Sequence, residues 1–62
     1  MASRVKYIEI YPNYGNTHKT KEYRAFVVLH NREVKKYYFT SESELPQYVQ
    51  AAMHDPDVQT LS

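Results

Sequence analysis

A chain of 62 residues makes one domain, and at that size folding hides only about 60% of the surface that the unfolded chain exposes, which leaves no room for an enclosed catalytic cleft. There is no cysteine, so neither a disulfide nor a thiolate zinc site reinforces the small core. The net charge of +1 conceals an asymmetry: residues 1–36 hold all eight Lys and Arg against three Glu, a net +5, whereas residues 37–62 hold four acidic residues and no Lys or Arg, a net −4. Such a split marks a polyanion-binding face backed by an acidic one, or only the different solubilising residues of a sheet and a helix.

The first residues carry Arg4 and Lys6 with no long apolar run behind them, so neither a signal peptide nor a membrane span is expected, and the chain reads as complete and cytoplasmic. Residues 4–11 are β-branched and aromatic, and end at the turn formers Pro12, Asn13, Gly15 and Asn16, which predicts a strand. A polar loop follows to Lys21. Residues 22–30 and 33–40 read as two further strands joined by a tight turn at Asn31 and Arg32. Ser41 and Glu44 have the spacing of a capping box, with Ser43 as a rival cap. Beyond them Leu45, Tyr48, Val49, Ala52 and Met53 form the one-sided stripe of an amphipathic helix. Pro46 is tolerated in its first turn, and Pro56 stops it near His54 or Asp55, with one more short turn at Asp55 and Pro56. The expected fold over residues 1–62 is a single α+β domain, a three-stranded antiparallel sheet in the order β-β-β-α packed on one C-terminal helix.

A two-residue turn pairs His30 with Glu33 and fixes the faces. One face carries Tyr23, Ala25, Val27, Leu29, Val34, Lys36 and Tyr38; small Ala25 opposite Ala52 lets the helix approach closely, so the helix is expected here. The other face is expected to stay open, showing Lys6, Arg24, His30 and Lys35 interleaved with Ile8, Phe26 and Tyr37. A face of that kind binds phosphates through its cations and bases or apolar groups through its rings. The opposite assignment, with these aromatics as the core, remains open.

The run from Tyr23 to Val34, continued by Phe39 to Leu45 and by Ala51 to Met53, resembles the AP2 and phage-integrase arm-binding type of DNA-binding domain. Tyr23, Ala25, Val27, Phe39 and Ala52 match its recurring positions. Tyr37 stands where that family usually has a glycine, and the tryptophan frequent on its sheet is absent. The resemblance covers about half of the chain, and it implies a sheet laid in the DNA major groove with Arg24, Phe26, Lys35 and Tyr37 reading bases.

His18, His30 and His54 lack metal-ligand spacing, and no Ser, His and Asp arrangement has a sheltered pocket, so no catalytic residue, metal or cofactor is expected. Lys19 and Lys21 in the loop, and Arg32 at the hairpin turn, add cations able to contact backbone phosphates. The expected function is that of a small non-catalytic binding protein, first for nucleic acid as a phage or mobile-element accessory factor. The alternative is a protein-interaction module or inhibitor using the same face. An unpaired first strand would also allow a homodimer.

Overall fold

The computed structural model describes residues 4–14 and 20–62. Its elements are β1 (Val5–Pro12), β2 (Tyr23–Leu29), β3 (Val34–Phe39), a 3₁₀ turn (Glu42–Glu44), α1 (Gln47–Met53) and β4 (Gln59–Leu61). The fold is α+β, as the sequence implies, but its sheet has four strands in the order β3-β2-β1-β4 and is mixed. β1 pairs antiparallel with β2 and parallel with β4, so the first strand is central and flanked on both sides. The fourth strand escaped sequence reading because it is three residues long, too short for alternation to register. What places it is the turn before it. Val58 N–H donates to the Asp55 carbonyl at 3.0 Å and Asp57 N–H to Asp55 Oδ1 at 2.9 Å, which is the short turn expected at Asp55 and Pro56. Val58 then buries its side chain and leads the chain back beside β1.

The helical segment is broken where one helix was expected. Glu44 accepts hydrogen bonds from the Thr40 and Ser41 amides at 2.9 and 2.8 Å, so the Ser41 and Glu44 cap does form, but it starts only the 3₁₀ turn. Leu45 is extended at ψ 153° because the Pro46 ring disfavours helical geometry in the residue before it. α1 restarts after Pro46 and is seven residues long. The apolar stripe survives the break: Leu45, Val49 and Ala52 are buried and Tyr48 and Met53 pack at their margin.

Those residues cover one face of the sheet. Ile8, Ala25, Val27 and Val49 are fully shielded from water, and Val5, Leu29, Phe39, Leu45, Ala52 and Val58 complete the core. α1 therefore covers the face with Ala25 at its centre, as expected. Two register features change which side chains share that face. A bulge between Val5 and Tyr7 inserts Lys6 out of alternation, so Val5 joins Ile8 and Ile10 on the helix side. Ile8, expected on the open face, is thus in the core.

The second feature is the β2-β3 hairpin. Leu29 N–H donates to the Glu33 carbonyl at 2.8 Å and Arg32 N–H to the Leu29 carbonyl at 3.1 Å, so the loop is His30, Asn31 and Arg32, one residue longer than expected. Arg32 takes φ 74°, the left-handed conformation that closes three-residue hairpin loops. Asn31 Oδ1 accepts from Glu33 N–H at 3.0 Å and braces the turn. The register becomes Val28 opposite Val34 and Ala25 opposite Tyr37. One residue of slip exchanges the faces of a whole strand. Lys35, Tyr37 and Phe39 consequently point to the helix side, and Val34, Lys36 and Tyr38 to the other.

Candidate binding face of the sheet

The face away from α1 is built by register from three cross-strand rows. Tyr38, Arg24 and Tyr11 form the first; Lys36, Phe26, Glu9 and Leu61 the second; Val34, Val28, Tyr7 and Gln59 the third. None of the eleven is buried, while every buried strand residue lies on the helix side. Tyr11, Val34 and Leu61 are 42, 56 and 40% exposed. Among the described residues, no helix or strand is layered on these rows.

The side chains shelter one another. The Tyr11 ring meets Phe26 edge-on at 5.8 Å, and the Arg24 guanidinium lies over the Phe26 ring at 5.7 Å. Lys36 Nζ stands 5.5 Å from the Tyr38 ring centre. Cations beside rings are held by the ring quadrupole while still exposing charge. The Tyr11 hydroxyl donates to the Glu9 carboxylate, and that bond, ahead of partial burial, raises the Tyr11 pKa.

Of the residues proposed from sequence for the open face, Arg24 and Phe26 lie at its centre. Tyr37 does not: it is half-buried on the helix side, its hydroxyl 2.6 Å from that of Tyr48 and the two rings 6.5 Å apart. Burial, and then this contact, push the Tyr48 hydroxyl up to about 12, with Arg4 over the Tyr48 ring at 4.9 Å. Lys35 also faces the helix side and stands 3.4 Å from Glu33. His30 and Arg32 occupy the hairpin loop, and Lys6 sits at the bulge, so none of the three belongs to the rows. Lys21 is held by Glu44 in an ion pair. Lys19, with His18 and the rest of residues 15–19, lies outside the described residues. Sequence reasoning missed Tyr7, Glu9, Tyr11, Val34, Lys36, Tyr38 and Leu61: a hairpin loop one residue longer turns out Val34, Lys36 and Tyr38, the bulge at Lys6 separates the faces of β1, and Leu61 lies on the short β4.

The helix side offers a shallow hollow of about 260 Å³, lined by Arg4, Val5, Tyr48, Ala51, Ala52 and Asp55. Its walls are largely apolar, and the Tyr48 hydroxyl at its margin is engaged with that of Tyr37. His54 Nε2 lies 2.9 Å from Glu42 Oε1, which ties the end of α1 to the 3₁₀ turn. Among the described residues no three His, Asp or Glu converge as metal ligands, and no helix is long and apolar enough to cross a membrane. No protein-family model, curated protein or solved structure matches this chain.

Proposed function

We propose that this chain is a non-catalytic binding protein of the cytoplasm that works through the open face of its sheet, and that the face receives a protein. The observation that supports this is the composition of the three rows. Four aromatic and three aliphatic side chains stand against two cations and one anion, with the anion, Glu9, in the middle row beside Phe26. Tyrosine, phenylalanine and arginine are the residues that protein interfaces favour, since they bring large contact area with polar tips. A carboxylate at the centre repels phosphate. Removal of Lys35, His30 and Lys6 from the face takes away most of the charge on which nucleic-acid binding rested.

Nucleic acid is the second reading, and one observation favours it: the two remaining cations each accompany a ring, Arg24 with Phe26 and Lys36 with Tyr38, an arrangement able to neutralise a phosphate while a base stacks. Titration with random-sequence duplex and single-stranded DNA separates the readings. A protein-binding face gives no tight binding at low salt. Affinity that falls steeply between about 50 and 200 mM salt, and that weakens in an Arg24→Ala, Lys36→Ala double variant, would replace the protein reading with the nucleic-acid one. In a pull-down, Phe26→Ala or Tyr38→Ala loses whatever the wild-type chain captures; unaltered capture by both variants moves the site off this face.

A further inference from the structure

We infer that the partner of the open face is a second copy of this chain, packed face to face about a two-fold axis that runs along β2. This rests on the reading of the face as a protein-binding surface and names its occupant. The argument is the symmetry of the rows. Lys36 stands opposite Phe26 across β3 and β2, and Phe26 stands opposite Glu9 across β2 and β1. One charge therefore lies one strand to either side of the same phenylalanine, and the two charges are opposite. A two-fold axis along β2 exchanges the β3 and β1 sides, which sets Lys36 of each copy against Glu9 of the other. The interface is isologous, so both ion pairs form at once.

The other rows comply with one exception. Val34 falls on the partner's Tyr7, Val28 on its own symmetry mate, and Tyr38 on the partner's Tyr11, so aliphatic groups and rings meet one another and no charge. The exception is Arg24, which meets Arg24 of the partner near the axis. Its guanidinium leans over Phe26 and not straight outward, which lessens the repulsion without removing it. Other axes match less well: one along β1 opposes Glu9 to Glu9, and one across the strands sets Glu9 against Tyr11 and leaves Lys36 without an anion. Neighbouring strands are about 4.8 Å apart and same-face residues about 6.7 Å apart, so the rows of β3, β2 and β1, the part of the face that this axis overlaps, cover a footprint of roughly 300 Å² per copy, with Leu61 and Gln59 of β4 lying beyond it. Two such footprints lie below the range of stable specific interfaces, so the dimer is a weak, transient one that depends on concentration. A chain this short, without a disulfide, gains core volume by such pairing.

Sedimentation equilibrium or light scattering over a wide concentration range tests this. The wild-type mass climbs from 7.4 kDa toward twice that value. Glu9→Lys and Lys36→Glu each stay monomeric at concentrations where the wild type is dimeric, because each sets like charges together twice. The double variant carrying both changes dimerises again, and a circular dichroism spectrum of each single variant that matches the wild type shows that it is folded. Arg24→Gln dimerises more tightly than wild type, whereas a nucleic-acid face loses affinity with the same change. A wild type that remains monomeric at millimolar concentration overturns the proposal. So does a dimer that neither charge reversal weakens, since the copies then meet elsewhere, as at the β3 edge. Should the chain be monomeric, loss of pull-down capture in Phe26→Ala leaves the protein-binding face standing with another occupant. A monomer whose capture Phe26→Ala does not alter loses both.

Discussion

The two faces of this sheet come from the same strands and nearly the same residue types, yet they hold opposite positions in the molecule. On the helix side Ile8, Ala25 and Val27 are shielded completely by Val49, Ala52 and their neighbours. On the other side Tyr7, Phe26, Val28 and Tyr38 are only half-buried, sheltered by one another. Hydrophobic content does not separate a core from a binding surface here; the presence of a second layer does. β2, Tyr23–Leu29, is apolar on both sides because it must serve both.

The largest expected effect sets those faces against each other. Ile8→Ala empties a fully buried site and costs about 2–5 kcal/mol. A domain of this length has a total stability of roughly 3–9 kcal/mol, so the variant is expected to unfold at low denaturant or altogether. Phe26→Ala, one strand away on the open face, removes a half-exposed ring from its contact with Tyr11 and costs about 1 kcal/mol. Urea titration of the two variants measures the ratio. Equal losses would mean that the open face is packed in solution, as in a dimer, and the comparison would then depend on protein concentration.

A smaller effect belongs to the capped corner that joins sheet to helix. Hydrogen bonding from Lys21, and then from the Ser41 and Thr40 amides, holds the Glu44 carboxyl at about 2, below its ordinary 4.5. A lowered carboxylate pKa stabilises the fold above the unfolded value and ceases to as pH falls through the folded one. The contribution is therefore complete above about pH 4.5 and is lost between there and about pH 2. Solvent screens this exposed corner and keeps the effect small. Thermal melts at pH 7, 4 and 2 should show a wild-type decline that Glu44→Gln flattens. A parallel decline in both chains would place the acid sensitivity in other carboxylates.

How much of this was legible in the sequence depended on the length scale of each signal. The strands, the helix stripe and the face that the helix covers all rest on periodic patterns repeated several times, and Ala25, Val27, Val49 and Ala52 lie where those patterns put them. The site residues rested on single-residue features that no pattern announces. Lys6 in the bulge returned Ile8 to the core, and one extra loop residue turned Tyr37 and Lys35 toward the helix side and Lys36 and Tyr38 away from it. β4 was missed because three residues carry no period. A site defined by alternation inherits every register error, whereas a core is averaged over many positions.

The smallest expected effect concerns the residue on which that register turns. Arg32 sits at φ 74° although its Cβ clashes in the left-handed region, a cost of about 1–2 kcal/mol that glycine avoids. Glycine in turn loses about 0.5–1 kcal/mol more conformational freedom on folding. Arg32→Gly is therefore expected to stabilise the domain by roughly 0.5 kcal/mol, raising the urea midpoint slightly while leaving the two faces as they are. Backbone amide exchange in β3 sharpens the result: with Val28 paired to Val34, protection of the β2 and β3 amides increases together in the glycine variant. Destabilisation by glycine would mean that residue 32 is not left-handed, as in a two-residue type II′ turn with positive φ at Asn31 alone. In that register Tyr37 and Lys35 return to the open face, and Lys36 no longer shares a row with Glu9.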